Sequence, residues 1–310
     1  MVEKHGKIVK GLGGLYETRV VENGRVERLI SRAKGVLRRD EEKLLVGDNV
    51  TVSIDESIEG GIVISEVDER RNSLIRPPLA NLDYIFIVFA AKKPTPVIET
   101  VDKLISIAEH NSITPVVVIT KSDISSDAAE EYAEIYRSVG IPTFITSSNS
   151  GEGVAPLAEY IKENVKNGKT SAFAGASGVG KSTLMNALFP SLNLATSEIS
   201  KKIERGRHTT RHVEIFDIED SPETGFLADT PGFSLIDFAR FDFYELEELL
   251  PTFRELLPYV GKCRYADCAH VGEDAEECAV AKAAEEGKIP LSRLESYRSI
   301  YRTLKAKKKY

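Results

Sequence analysis

The pattern of apolar and polar positions changes character twice along the chain. Residues 7–10, 15–21, 26–30, 49–54 and 61–67 are β-rich runs. They are broken by glycines at 11, 13 and 14, by Asn23-Gly24, by Val46-Gly47-Asp48 and by Gly60-Gly61. Asn-Gly between β-rich runs signals a hairpin. About five short strands in about 65 residues predict a small closed barrel, with an OB-type barrel the first expectation. From about residue 80 to 235, apolar runs alternate with helical spacing: strands over 83–91, 115–120, 143–147, 169–174, 212–218 and 225–229, helices over 96–110, 127–139, 154–165 and 181–188. Near-continuous apolar strands between helices predict a mainly parallel sheet covered on both faces. Beyond about 240 the chain reads as helical, with Leu291, Leu294, Tyr297, Ile300, Tyr301 and Leu304 at helical spacing.

One segment of the middle region carries recognisable chemistry. Gly175-Ala176-Ser177-Gly178-Val179-Gly180-Lys181-Ser182 fits G-x4-G-K-[ST], after an apolar strand and before a helix that continues through Thr183. Glycines let backbone N–H groups turn onto phosphate oxygens, and the helix N-terminus adds positive potential. Lys181 is placed to reach the β and γ phosphates, and Ser182 to hold Mg2+ through its hydroxyl.

Two further motifs select guanine over adenine, and a third serves the phosphates. Thr120-Lys121-Ser122-Asp123 ends the valine-rich strand and looks like N/T-K-x-D, whose carboxylate accepts from the ring N1–H and the exocyclic amine. Ser147-Ser148 resembles the clamp on the guanine oxygen. Asp229-Thr230-Pro231-Gly232 puts an acid beside Mg2+ and a glycine N–H, that of Gly232, where it senses a γ-phosphate. These motifs resemble a translational-type GTPase, with the order rotated: the base readers precede the phosphate loop. The chain thus reads as a circularly permuted GTPase, whose second switch runs directly into the C-terminal part. Gly206-Arg207-His208-Thr209-Thr210 falls where the first switch belongs; Thr210 is the favoured Mg2+ ligand, with Thr209 the alternative. Phe233 stands where Ras-type proteins carry a water-orienting Gln, and His208 is the best substitute for it as the catalytic group.

Cys263-x4-Cys268-x-His270-x7-Cys278 uses all three cysteines and forms a complete tetrahedral Zn2+ set with no open position, hence structural. The alternative is three free thiols. Because an odd number of cysteines cannot all pair, a disulfide-stapled secreted protein is excluded as the leading class. The longest apolar run, residues 84–91, is eight residues, too short to span a bilayer, and the N-terminus lacks the apolar core of a secretory signal. The cytoplasm is the expected compartment. Net charge −7 argues against a nucleic-acid partner. Local counts reverse that argument. Residues 25–39 hold Arg25, Arg28, Arg32, Lys34, Arg38 and Arg39 against Glu27, and residues 201–212 and 293–310 are also basic.

The motif order, the barrel before it and the cysteine cluster after it resemble the ribosome small-subunit-dependent GTPase A family, the circularly permuted GTPase of bacterial 30S maturation. Gly47-Asp48-Asn49-Val50, Arg71-Asn72-Ser73-Leu74, Arg76-Pro77 and the GRHTT switch also look like its landmarks. The resemblance implies an N-terminal OB-fold RNA-binding domain over 1–70, a permuted α/β GTPase domain over 71–235 and a mostly helical zinc-binding domain over 236–310. It implies GTP hydrolysis stimulated by the small ribosomal subunit, bound through 16S rRNA, with GTP/GDP, Mg2+ and one Zn2+, in a monomeric protein without a membrane role. A switch histidine serves hydrolysis in the family, and it maps to His208. Thr120 departs from the Asn of many members, while Asp123 keeps guanine preference. The runner-up reading is a GTP-gated module on a non-ribosomal RNA. A metabolic P-loop kinase is disfavoured by TKSD and the absence of an acceptor-binding domain.

Overall fold

Strand alternation in the first 70 residues builds the barrel. The structure, a computed structural model, describes residues 2–35, 43–55, 57, 61–75, 77–190, 213–229 and 243–307. Its contacts divide the chain into two units: 1–84, 156–173 and 185–233 in one, 85–155, 174–184 and 234–310 in the other.

In the first unit, β1 (Val2–Leu12), β2 (Leu15–Glu22), β3 (Arg25–Ala33), β4 (Asn49–Ile54) and β5 (Ile62–Val67) run in the order β1-β2-β3-β5-β4, and β4 returns to β1. This closed five-stranded order, with β3 and β5 parallel, is the expected OB-type barrel. β1 is longer than its apolar run because one strand serves two neighbours. It pairs with β4 from Val2↔Ile54 to Lys7↔Asn49 and with β2 from Gly6↔Val20 to Leu12↔Leu15, with a bulge between Ile8 and Lys10. Ile8, Val9, Val20, Val50, Val52 and Ile64 fill the interior. A hairpin that the sequence reading missed, β6 (Ser73–Ile75) and β7 (Pro78–Ala80), follows the barrel. The landmark residues are structural here. Asp48 is fully buried, accepts from Leu45 N at 2.7 Å and pairs with Arg70 at 2.7 Å; Asn81 donates to Gly47 O at 3.1 Å.

The same unit contains β11 (Thr170–Ala174) up to Phe173, β12 (Glu214–Asp217) and β13 (Phe226–Asp229). β11 and β13 are parallel, but β12 lies antiparallel to β13 and also to β1. The sheet is therefore mainly parallel, as expected, with the antiparallel β12 inserted between β13 and β1. Residues 218–225 return directly from β12 to β13, an antiparallel connection that needs no helical crossover. Lys7 and Arg19 from the barrel both lie 5.4 Å from the ring of Phe226, and Arg19 pairs with Asp217 at 2.8 Å.

In the second unit, β8 (Leu82–Ala90) from Ile85, β9 (Thr114–Thr120) and β10 (Thr143–Ile145) lie in the order β10-β9-β8, with β10 and β9 parallel. Val116 to Ile119 are fully buried, as a strand covered on both faces requires. The helices are α1 (Ile98–His110), α2 (Ser126–Ser138), α3 (Val154–Asn164, which crosses into the first unit), α4 (Lys181–Leu188), α5 (Ala279–Glu285) and α6 (Leu291–Lys307). α4 has the bounds its spacing predicts. Residues 243–260 are short 3-10 turns where helices were expected; Pro251 and Pro258 stand inside them and cannot donate helical hydrogen bonds.

On α6, Leu294, Tyr297, Ile300 and Leu304 are buried as the spacing predicts, but Leu291 in the first turn is exposed. Arg293, which the pattern would place at the surface, is only 1% exposed. It lies between Asp102 of α1 and Glu255, at 2.7 Å from each, and over the Phe253 ring at 4.5 Å. Ser106 of α1 meets Thr252 at 2.6 Å and also bonds the Tyr244 hydroxyl, so residues 244–252 are held on α1 by buried hydroxyls.

Candidate nucleotide and metal sites

The phosphate loop is shaped by close approach. A Cβ at Gly175 would fall 2.1 Å from the Val88 carbonyl oxygen of β8, so no other residue fits there without moving a strand. Gly178 and Gly180 follow at φ 81° and 95°, in the left-handed region, and turn the chain into α4. The first helical bond runs from Leu184 N to Gly180 O at 2.9 Å. The amides before it have no helical partner and face the start of the helix, an anion-binding arrangement. Lys181 folds back so that its Nζ donates to Gly175 O at 3.2 Å, spanning the loop that includes Ala176 and Ser177. Ser182 is half-buried beside it.

Two residues of the base-reading motif fasten it to this loop. The Thr120 hydroxyl donates to Val179 O at 2.5 Å and lies 3.2 Å from Phe89 O. Lys121 has φ 57°, unusual for a side-chain-bearing residue, and its Nζ donates to Gly178 O and Lys93 O, both at 2.7 Å. Ser122 is buried, and its backbone N–H donates to Thr146 O at 3.3 Å. Asp123 is exposed; Ser147 Oγ donates to its Oδ1 at 2.6 Å and Asn149 Nδ2 to its Oδ2 at 3.0 Å. Those two bonds, Ser147 first, hold the Asp123 carboxyl below its ordinary pKa, so it stays a pure acceptor.

These elements enclose a cleft of about 210 Å³ lined by Lys93, Thr120, Lys121, Asp123, Ile124, Ser148, Asn149, Gly180 and Thr183. Six of the nine were expected from sequence. Lys93, Ile124 and Asn149 were missed; only Asn149 carried a signal, as a short amide two residues beyond Ser147. Ser147 is buried, with its hydroxyl on Asp123. Asp229 ends β13, its backbone opposite Glu214. His208, Thr209, Thr210, Gly232 and Phe233 lie outside the described residues, as do Arg38, Arg39 and Arg76.

The cysteine cluster comes together as expected. Cys263, Cys268, His270 and Cys278 each offer one ligand atom, all within 4.8 Å of one another. Cys263 and Cys278 sulfurs are 3.9 Å apart, and His270 Nδ1 lies 3.5, 3.4 and 3.5 Å from Cys263, Cys268 and Cys278. Tetrahedral geometry with Zn–S near 2.3 Å and Zn–N near 2.05 Å requires edges of about 3.8 Å between sulfurs and about 3.6 Å from sulfur to nitrogen. The donor set fits such an ion. Burial lowers the His270 pKa, favouring the neutral ligand form, and pushes the Cys268 thiol up to about 12, which a bound cation would reverse. His270 itself sits at φ 63°. α6 holds that backbone: Tyr297 Oη donates to Ala269 O, Arg298 Nε to His270 O and Arg302 Nη2 to Val271 O, at 3.1, 3.1 and 3.4 Å.

The basic stretches are less free than their composition suggested. Arg28 is paired with Glu17 and Asp217, leaving Arg25, Arg32 and Lys34 exposed on that part of the barrel. In the C-terminal stretch Arg293 is buried, and Arg298 and Arg302 hold the cysteine loop.

A strand–glycine-loop–helix phosphate cradle fastened to a carboxylate base reader defines a P-loop GTPase, here with the base reader earlier in the chain. The profile of the RsgA GTPase family matches residues 67–239, and that of the RsgA N-terminal domain matches residues 5–62. The small ribosomal subunit biogenesis GTPase RsgA of Bacillus subtilis is 37% identical over 309 residues, 98% of each chain. That of Caldanaerobacter subterraneus is 40% identical over 305 residues, 98% of this chain and 97% of its own. Among solved structures, YjeQ from Thermotoga maritima is 33% identical with a TM-score of 0.78, covering 98% of this chain and 99% of its own. YloQ, described as a circularly permuted GTPase, is 32% identical with a TM-score of 0.77, covering 99% and 96%. The chain belongs to the RsgA GTPase family and is a circularly permuted GTPase.

Proposed function

We propose that this GTPase acts as a late assembly factor of the small ribosomal subunit, which stimulates its GTP hydrolysis. The observation that carries the reading is the match, over 98% of this chain, to proteins named for small ribosomal subunit biogenesis. That shared name favours the subunit over an unrelated RNA. The partner surface is 16S rRNA, met by the 1–70 barrel and the 236–310 zinc domain that flank the 71–235 GTPase domain. The protein works as a cytoplasmic monomer, and no helix among the described residues is long and apolar enough to cross a membrane.

At the nucleotide, Asp123 reads N1–H and the 2-amino group, with Lys121 under the base and Thr120 and Ser122 setting the loop. Ser147 holds Asp123, while Ser148 borders the guanine oxygen. Backbone amides of Gly175, Ala176, Ser177, Gly178, Val179, Gly180 and Thr183 wrap the phosphates, and Lys181 leaves Gly175 O to meet them. Ser182 and Thr210, with Asp229 nearby, would hold Mg2+, which supplies charge neutralisation at the phosphates. Gly232 senses the γ-phosphate, and His208 orients the attacking water. Cys263, Cys268, His270 and Cys278 hold one structural Zn2+. The partner assignment is tested by co-sedimentation with purified small subunits. Binding in the presence of a non-hydrolysable GTP analogue is expected; no binding in any nucleotide state contradicts it.

A further inference from the structure

Asp123 has both carboxylate oxygens occupied from its own side of the cleft, and by different residues. Ser147 Oγ donates to Oδ1 at 2.6 Å and Asn149 Nδ2 to Oδ2 at 3.0 Å. A carboxylate offers about four lone-pair sites, so about one remains on each oxygen for a ligand. The base it faces presents two donors, N1–H and the 2-amino group, and needs one site on each oxygen. A carboxylate tied at one oxygen can turn about its terminal torsion, which is broad. Tied at both, it presents the remaining pair in a fixed plane.

Asn149 is itself held for this purpose by a tight loop. Ser147 N donates to Glu152 O at 2.9 Å, Gly151 N to Ser147 O at 2.8 Å, and Ser150 N to Ser147 Oγ at 3.3 Å. A Cβ at Gly153 would fall 1.9 Å from the Ile145 carbonyl oxygen, so the loop closes directly on β10. Asn149 is exposed and also lines the cleft, together with Asp123 and Ser148.

The geometry assigns Asn149 as a positioning residue for guanine specificity, fixing Oδ2 of Asp123 for the exocyclic 2-amino group. The inference rests on the reading of Asp123 as the guanine-selecting residue. It makes Asn149 selective for one donor: guanine nucleotides gain from it, and inosine nucleotides, which keep N1–H but lack the 2-amino group, do not.

The test is titration of the full chain, wild type and Asn149→Ala, with fluorescent GDP and IDP. Asn149→Ala is expected to weaken GDP about tenfold, about 1.4 kcal/mol, and IDP less than about threefold, so the GDP-to-IDP ratio collapses. A loss equal for both nucleotides makes Asn149 a loop-folding residue only and overturns the inference. Unchanged or tighter GDP binding overturns it as well, since the amide would then be idle or competing with the base. Asp123→Asn with XDP is the companion measurement. If that variant does not gain xanthine preference, the underlying base assignment fails, whatever Asn149→Ala does.

Discussion

Thr120 and Val179, 59 residues apart in the chain, are joined by a 2.5 Å hydrogen bond from the threonine hydroxyl to the valine carbonyl. Both ends are buried. The bond joins the end of the base-reading strand to the phosphate loop, so the two halves of the nucleotide cleft are set together before any ligand arrives. A threonine at this position therefore has its own structural role, whatever amide it forgoes.

Thr120→Val keeps the shape and removes the donor. It leaves the Val179 carbonyl without that partner in a buried place, a cost of about 1–3 kcal/mol. Affinity for GDP should fall at least fivefold by fluorescence titration, while Thr120→Ser should retain most of it. Equal affinity in Thr120→Val and wild type would show that the link is idle.

The tetrahedral fit of the cysteine cluster leads to a metal prediction. Freshly purified protein should hold about one equivalent of zinc by elemental analysis, and each of Cys263→Ser, Cys268→Ser and Cys278→Ser should lose it. Chelation should lower the thermal midpoint, because folding of residues 261–278 is linked to the ion. Less than about half an equivalent, with an unshifted midpoint on chelation, contradicts the assignment.

Much of this site was legible in the sequence because motif chemistry is local. Gly175 to Ser182, Lys121 and Asp123 announce themselves through fixed spacing, and the cysteine cluster through ligand type. What was not legible depends on tertiary neighbours. Nothing in the spacing of α6 shows that Arg293 points inward, because its partners Asp102 and Glu255 lie 191 and 38 residues away. The same holds for Ser147, whose hydroxyl bonds Asp123, 24 residues away. The antiparallel β12 was missed because an apolar run does not state its direction. The length of β1 was missed because its residues Glu3 to Gly6, which pair with β4, form no apolar run.

Arg293 provides a direct stability test. Arg293→Met leaves Asp102 and Glu255 buried without their cation, an arrangement that costs about 3–5 kcal/mol when one partner of a buried pair is removed. Urea unfolding should show that loss, with GTP binding intact in the folded fraction. A loss below about 1 kcal/mol would mean that the carboxylates relax to solvent and that the triad does not hold α6 on α1.

Lys7 should give the protein a distinctive alkaline response. Burial lowers its pKa from 10.5 to about 8, with Asp83 and Asp48 opposing the shift and Arg71 adding to it; its amine bonds Thr170 Oγ1 at 3.1 Å. The folded pKa lies below the unfolded one, so the unfolded chain binds the proton more tightly. The resulting penalty is complete below about pH 8 and is relieved as pH rises toward 10.5. Lys7→Met should therefore be more stable than wild type by on the order of 2–3 kcal/mol at pH 7, with the gap closing between pH 8 and 10.5. A gap that stays constant across that window contradicts the burial account.

The central claim is a GTPase whose turnover belongs to the small ribosomal subunit. The most direct measurement is steady-state GTP hydrolysis by the purified protein with and without purified small subunits, alongside Lys181→Ala. The account predicts slow hydrolysis alone and at least about tenfold acceleration by the subunit, since the side chain of Phe233 has no polar atom to orient a water where Ras-type proteins carry a glutamine. Lys181→Ala should abolish turnover in both conditions. Turnover that does not change when the subunit is added contradicts the claim.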